Sequence, residues 1–205
     1  MKFQYDCSKC NTQCDGISKA AYIFENDADY SERKENFVID CINSLPGYQA
    51  EKCTEQGYPD IRVHKDNEVF YIEIKAQRRT FMSVGRLLPD SDLVPSETLA
   101  LNLSDLLRYF EIRDEEKCRV YIMWCLENRP CIVPEGETRY FYENVNELER
   151  LYHIYQEQRR FRRKSGYGDW VNGQHKGVVV NYHFSIEELR EAIADNNFIE
   201  ILQDN

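Results

Sequence analysis

The fold is decided by one stretch, Pro59 to Gln77, which reads P-D-I-R-V-H-K-D-N-E-V-F-Y-I-E-I-K-A-Q. Ile61 and Val63 alternate with polar residues, as in a half-buried strand. The polar run Lys65-Asp66-Asn67 is typical of a turn, and residues 69–76 form a second run rich in β-branched and aromatic side chains. The stretch therefore predicts an antiparallel hairpin.

Side chains alternate across a sheet, so the second strand has two different faces. One face is apolar and carries Phe70, Ile72, Ile74 and Ala76. Glu73 and Lys75 share the opposite face, roughly 7 Å apart at about 3.3 Å per residue. Asp60 begins the partner strand, and pairing of the two strands would bring it to Glu73. Two acids and a lysine would then meet at one end of the hairpin.

The composition indicates one folded domain with a substantial core. The chain has 205 residues, of which 42% are hydrophobic and 13% aromatic. The longest apolar run, Val120 to Leu126, is too short to span a bilayer, and the first residues lack the apolar core of a signal peptide. We therefore expect a cytoplasmic protein without a membrane partner. The net charge of −10 argues against coating nucleic acid by bulk electrostatics but not against a local basic surface.

Three cysteines lie close together near the N-terminus, at Cys7, Cys10 and Cys14. Thiolates at such spacing can wrap a Zn²⁺ ion, and an iron–sulfur cluster is the alternative for soft ligands. Candidates for a fourth ligand are Cys41, Cys53 and His64. The same cysteines are also compatible with plain thiols, as a reducing compartment would keep them. We expect residues 1–28 to form a small Cys-rich knuckle and 29–205 the main domain.

A helix is predicted before the hairpin. Ser31 can cap its first turn, and Pro46-Gly47 ends it. Its apolar positions recur at helical spacing and are Phe37, Val38, Cys41, Ile42 and Leu45. Glu35 falls at the edge of that stripe. It can either reach the neighbouring sheet or remain solvated.

The remaining elements are read from the same signals. The predicted strands cover 48–54, 119–126, 139–142 and 177–184, and the predicted helices cover 104–111, 146–161 and a last segment opened by the capping box Ser185–Glu188. Residues 78–102 read as a long loop. The strand at 119–126 is apolar throughout, which predicts a central strand buried on both faces.

Two basic stretches could contact phosphates. The first contains Arg78, Arg79 and Arg86, and the second contains Arg159, Arg160, Arg162, Arg163 and Lys164. A positive charge at a helix C-terminus is favourable by itself, but five charges within six residues exceed what capping requires. We therefore interpret both stretches as nucleic-acid-binding.

The acidic end of the hairpin has the parts that phosphodiester hydrolysis needs. A divalent ion bound by carboxylates can activate water, and a nearby lysine can stabilise developing charge. The pattern Pro59-Asp60, twelve further residues, then Glu73-Ile74-Lys75 resembles the PD-(D/E)xK nuclease superfamily with its restriction-endonuclease-like fold. The preceding helix with Glu35 also fits that family.

The resemblance implies a mixed α/β fold, with a mixed β-sheet flanked by helices. It also implies a Mg²⁺- or Mn²⁺-dependent endonuclease or exonuclease. Asp60 and Glu73 would be metal ligands with the Ile74 carbonyl as a third, Lys75 would assist the nucleophile, and Glu35 would bind or orient metal or water. The substrate would be nucleic acid, DNA in preference to RNA. A homodimer or a larger complex is compatible with this picture.

Two other interpretations stay open. The chain could be a zinc-containing adaptor on a nuclease-like scaffold that binds nucleic acid or protein without catalysis. It could also be an α+β domain of unrelated function. In that case the Glu73–Lys75 pair would be an ordinary surface pair that contributes a few tenths of a kcal/mol at most.

Overall fold

The computed structural model describes residues 24–78, 80–127, 129, 131–162, 170–171, 174–175 and 180–204. The helices are α1 (Phe24–Asn43), α2 (Val84–Leu87), α3 (Leu103–Glu116), α4 (Val145–Tyr155) and α5 (Ile199–Leu202). The strands are β1 (Tyr48–Lys52), β2 (Ile61–Lys65), β3 (Glu68–Gln77), β4 (Thr98–Asn102), β5 (Arg119–Leu126), β6 (Arg139–Asn144), β7 (Arg160–Arg162), β8 (Trp170–Val171), β9 (Gln174–His175), β10 (Val180–Ser185) and β11 (Arg190–Ala192). Within these ranges, no helix has the length and apolar character that crossing a membrane requires.

The main sheet has six strands in the order β1-β2-β3-β5-β6-β11. β3 and β5 run parallel, and the other neighbours run antiparallel. The sheet is therefore mixed, and helices cover it, which confirms the mixed β-sheet flanked by helices that was expected from the sequence. The central strand predicted at 119–126 is also confirmed, because β5 lies between β3 and β6 and is buried along nearly its whole length.

The sheet is buried on both faces, which explains the two-sided apolar pattern of its strands. On one face, Val38 and Ile42 of α1 pack against the side of β3 that carries Ile72. On the other face, α3 and α4 pack together with a second sheet of order β4-β10-β7. Trp124 of β5 belongs to this second core. Glu73 and Lys75 belong to the face covered by α3, since they alternate with the side chains that face α1.

The predicted hairpin is confirmed with its register. Ile61 pairs with Ile72 and Lys65 with Glu68, so the turn consists of Asp66 and Asn67. Asp66 has a φ of 52°, a left-handed conformation that Asp tolerates better than most residues. One step beyond the Ile61–Ile72 pair, Asp60 comes opposite Glu73. The register therefore fixes the meeting of the two acids.

Two elements in the first half differ from the prediction. α1 begins at Phe24 rather than at Ser31. The buried ring of Tyr30 anchors the additional turns, since Lys34 and Arg78 lie over it at 5.1 and 5.0 Å from its centroid. The predicted loop 78–102 contains α2 and β4. β4 pairs with β10, far away in the sequence, so local signals could not reveal it.

The C-terminal helices were predicted too long. α4 ends at Tyr155, and one 3-10 turn leads directly into β7 instead of continuing the helix to Phe161. The capping box at Ser185 exists, but it opens a single 3-10 turn followed by β11. β11 pairs with β6 and completes the sheet edge, so tertiary pairing overrides the local helix signal.

α3 ends on Lys117 in a left-handed conformation, with a φ of 53°. Glycine adopts this conformation without the steric cost that a Cβ imposes. We expect Lys117→Gly to raise the free energy of unfolding by about 0.5–1 kcal/mol, measured by denaturant titration. Glu115→Gly, placed inside the same last turn, should lower it by about 1 kcal/mol. A loss of stability in both variants would contradict strain at Lys117.

Candidate active site

Two hydrogen bonds between a backbone N–H and a side-chain carboxylate connect the two acids of the hairpin. The Asp60 N–H donates to Glu73 Oε2 at 3.2 Å, and the Ile74 N–H donates to Asp60 Oδ2 at 2.8 Å. Glu73 is only 3% exposed. The two carboxylates thus lie close together, and the pairing of β2 with β3 holds their orientations.

Lys75 extends from the same face and forms an ion pair with Glu73 Oε1. Burial alone would lower the pKa of Lys75, but the Glu73 carboxylate, with Asp60 and Asp105 nearby, raises the pKa above its usual value. The amine therefore stays protonated at neutral pH. Its charge is directed at the acidic pair rather than at bulk solvent.

The negative charge of Asp60 is disfavoured by its surroundings. Burial and then the charge of Glu73 raise the pKa of Asp60 from 3.8 to about 7, against the opposing effects of the Ile74 N–H and of Lys75. A carboxyl group whose negative charge is disfavoured by its surroundings gains most when a cation arrives. The electrostatics of this pair thus favour a positive ligand.

Helix α3 covers the face of the sheet that carries the acidic pair. Tyr109 is 2% exposed, and burial and then the charge of Glu73 raise the pKa of its hydroxyl above the usual value. The neighbouring Arg108 donates from Nε to the Gly57 carbonyl at 2.6 Å and pairs with Asp105 at 2.7 Å. Sequence reasoning missed Tyr109, because an aromatic residue within L-L-R-Y-F has the pattern of an ordinary core position.

Gln77 connects the same end of β3 to the second sheet. Its Oε1 accepts from the Ala100 N–H at 3.1 Å, and its Nε2 donates to the Thr98 carbonyl at 3.4 Å. β4 is therefore held against the strand that carries Glu73 and Lys75. A glutamine two residues after the lysine thus has a structural task here.

Glu35 lies on α1, and α1 covers the other face of the sheet from Glu73. Its carboxylate pairs with Lys52 Nζ at 3.2 Å, and Lys52 also contacts Glu32 at 3.1 Å. The charge of Glu35 still contributes to the raised pKa of Asp60, so the two groups are within electrostatic reach. Its predicted role in the site stays a prediction.

The residues of the site are suited to a hard divalent cation. The described part of the chain holds no group of three or more His, Cys, Asp or Glu side chains arranged for a metal. Mg²⁺, however, is commonly bound through one or two carboxylates with waters and substrate phosphates completing the shell. The close pair Asp60 and Glu73 meets that requirement. Cys7, Cys10 and Cys14 lie outside the described residues, so the zinc knuckle and the 1–28 boundary stay predictions.

The second basic stretch is divided by the fold. Arg159 is 1% exposed, and its guanidinium pairs with Asp92 at 2.8 Å and with Glu188 at 2.6 Å. This corrects the prediction that Arg159 contacts phosphate, because its charge is already satisfied inside the protein. Arg160 and Arg162 are exposed on β7, with Arg160 paired to Glu157. Arg163 and Lys164 lie outside the described residues.

The first basic stretch is divided as well. Arg78 is half-buried over Tyr30, and its Nε lies 4.0 Å from Glu127 Oε2. Arg86 is exposed in α2. Arg79 lies outside the described residues. Nucleic-acid binding by these residues stays a prediction.

Similarity to known proteins was found among solved structures. No protein-family model and no curated protein matches the sequence. Among solved structures, the chain is similar to Hjc, a Holliday junction resolvase from the archaeal hyperthermophile Archaeoglobus fulgidus. The TM-score is 0.43 and the identity 13%, and the alignment covers 82% of this chain and 95% of that one. At this level of similarity, the chemistry of this chain rests on its own residues.

Proposed function

We propose that this protein is a metal-dependent nuclease that hydrolyses phosphodiester bonds, with DNA as the favoured substrate. The observation that carries the proposal is the meeting of Asp60, Glu73 and Lys75 at one end of the β2–β3 hairpin. An incidental Glu–Lys pair on a surface strand would lack the buried second acid and the reciprocal backbone hydrogen bonds.

Asp60 and Glu73, with the Ile74 carbonyl, would hold Mg²⁺ or Mn²⁺. When bound, such an ion lowers the pKa of a water molecule and neutralises charge on phosphate oxygens. Lys75 contributes a protonated amine beside the acids, and this amine can orient the attacking water or stabilise charge on the phosphoryl group. Burial of Glu73 keeps its carboxylate in a single position, which favours catalysis by preorganised groups.

Nucleic-acid contact would come from local positive charge, since the whole chain is acidic. Arg160 and Arg162 are exposed on β7, and Arg86 is exposed in α2. Exposed arginines of this kind bind phosphate groups without reading sequence. They support a proposal of nucleic-acid binding but not a choice of substrate structure.

The test is a cleavage assay on linear, circular, single-stranded and four-way-junction DNA, with matched RNA substrates. We expect cleavage in Mg²⁺ or Mn²⁺ and none in EDTA. Lys75→Ala should reduce the rate by at least about 100-fold, because it removes a charge aimed at the reacting group. Lys65→Ala is the matched control, since this lysine lies at the turn end of the same hairpin, over the ring of Tyr48.

Two results would contradict the proposal. One is the absence of cleavage on every substrate with both metals, while the protein remains folded. The other is cleavage that proceeds equally in the wild type and in Lys75→Ala, which would place the activity in a contaminant or at another site. In the comparison of variants, Lys65→Ala should cleave at the rate of the wild type.

A further inference from the structure

The loop between β1 and β2 covers residues 53–60 and ends on Asp60. Its two ends are joined, because the Cys53 N–H donates to the Asp60 carbonyl at 2.9 Å. Inside the loop, the Tyr58 N–H donates to the Glu55 carbonyl at 3.2 Å and closes a turn. The backbone position of Asp60 therefore depends on where this loop lies.

Helix α3 contacts the loop at Gly57. Arg108 donates from Nε to the Gly57 carbonyl at 2.6 Å and from Nη2 to Asp105 Oδ1 at 2.7 Å. Gly57 has a φ of 92°, and a Cβ at this position would lie 3.2 Å from Arg108 Cδ, so the close approach favours glycine. A hydrogen bond from a charged donor is roughly twice as strong as a neutral one. Arg108 therefore anchors the loop to α3.

The same helix contacts the loop a second time, at the next residue. The Tyr58 hydroxyl donates to Glu116 Oε1, and the Tyr71 hydroxyl of β3 donates to Glu116 Oε2 at 2.8 Å. The rings of Tyr58 and Tyr71 also lie close, with their centroids 5.5 Å apart. Two successive residues of the loop are thus held by α3.

Pro59 connects these residues to Asp60. It is buried, its ring fixes its own φ, and it restricts the backbone of Tyr58 before it. Because this connection is stiff, a displacement of Gly57 also displaces Asp60. The bond from the Ile74 N–H to Asp60 Oδ2, at 2.8 Å, requires the backbone of Asp60 to lie where the loop places it.

A metal-binding carboxylate depends on the groups that hold its orientation, and loss of such a group typically weakens metal affinity by about 10- to 100-fold. We propose that Arg108 is a positioning residue, which holds Gly57 and thereby keeps Asp60 in place as a ligand of a divalent cation. This inference rests on the proposed function, in that it takes Asp60 as a metal ligand.

The test is Arg108→Met, with binding of Mg²⁺ and of Mn²⁺ measured by calorimetry in the absence of nucleic acid. We expect affinity to fall by about 10-fold. Loss of a positive charge near two acids would by itself raise the affinity for a cation, so the expected sign separates positioning from charge. Arg108→Lys, which keeps the charge and a donor for the Gly57 carbonyl, should restore part of the affinity. Arg113→Met is the matched control, since this arginine of α3 contacts Glu149 at 2.8 Å and Asn146 at 2.9 Å on α4 instead of the loop.

Hydrogen exchange in EDTA provides a second measurement that does not depend on metal. The amides of Asp60 and Ile74 each donate to one carboxylate of the acidic pair. Arg108→Met should accelerate their exchange by about 10-fold or more, as expected for the loss of a hydrogen bond from a charged group. The amides of the Val63–Phe70 pair, farther along the hairpin, should exchange as in the wild type. Equal acceleration at all four amides would indicate general unfolding and would overturn the proposal.

The binding experiment has clear contrary outcomes. Unchanged or higher affinity in Arg108→Met overturns the proposal, and so does an equal loss in Arg113→Met. If the wild type binds no divalent ion, both this proposal and the nuclease function fail. If the wild type binds Mg²⁺, Arg108→Met weakens the binding and no substrate is cleaved, the positioning role stands and the nuclease function fails.

Discussion

Asp60→Asn is expected to reduce DNA cleavage by at least about 100-fold and at the same time to stabilise the metal-free protein. The two effects have one cause. The carboxylate of Asp60 is buried beside Glu73, and both conditions raise the pKa of Asp60 to about 7. A bound cation would interact favourably with this charge, whereas in the metal-free protein the charge only destabilises the fold.

The sign of the stability effect follows from proton linkage. The unfolded chain has an ordinary Asp pKa of 3.8, so the folded state binds the proton more tightly between that value and about 7. The free energy of unfolding of the metal-free wild type therefore decreases as the pH rises through this interval, as far as Asp60 determines it. Asparagine carries no charge at any of these pH values, and its oxygen can still accept from the Ile74 N–H.

The expected gain in Asp60→Asn is about 1–3 kcal/mol at about pH 8 and close to zero at about pH 4. It is smaller than the full pKa shift would give, because the side chain is partly exposed and solvent screens its charge. Denaturant titration in EDTA at several pH values measures the gain. Asp114→Asn serves as the control, since Arg113 lowers the pKa of that exposed acid and its loss should not stabilise. Destabilisation of Asp60→Asn throughout the pH range would contradict the linkage argument.

The acidic pair could be predicted from the sequence because its geometry is local. Strand alternation places Glu73 and Lys75 on one face, and a two-residue turn then fixes which residue faces Asp60. All of this information lies within Pro59 to Gln77. Tyr109 could not be predicted in the same way, because the effect of the Glu73 charge on it depends on how α3 packs against the sheet.

The C-terminal region shows the limit of local signals. The capping box of Ser185 and Glu188 forms as predicted, yet it opens only a single 3-10 turn, and β11 follows instead of the predicted helix. Instead Arg190 pairs with Asp204 at 2.7 Å and with Glu143 of β6 at 2.6 Å. These partners are distant in the sequence, so the pairing that makes β11 a strand is absent from any local window.

The prediction for Arg159 was wrong because a run of arginines in the sequence does not show which side chains are exposed and which one is buried. β7 points Arg160 and Arg162 outwards, and Phe161 packs near Phe81 on its other side. Arg159 comes one residue earlier, at the end of the 3-10 turn, where its side chain enters the core. The letters R-R-F-R give no indication which arginine is enclosed.

Arg159→Met is therefore expected to lower the free energy of unfolding by about 2–3 kcal/mol. Its guanidinium lies 3.4 Å from the centroid of the Tyr155 ring and joins Glu188 to Asp92. Removal leaves Glu188, which is 16% exposed, without its cation, whereas Asp92 is 70% exposed and returns to solvent. For this reason the expected loss is below the upper range for broken buried pairs. Denaturant titration measures it.

Arg160→Met, one residue away, provides the opposite case. Arg160 is 40% exposed and pairs only with exposed Glu157 among its described ion pairs, so its loss should change stability by less than about 0.5 kcal/mol. If β7 contacts DNA, Arg160→Met weakens binding and reduces its salt dependence, because one phosphate contact is lost. Arg159→Met should leave the salt dependence unchanged as long as the protein is folded. The reverse outcome would be a stable Arg159→Met variant that binds DNA more weakly. It would mean that the buried Arg159 becomes available to phosphate and that the whole second basic stretch contacts DNA.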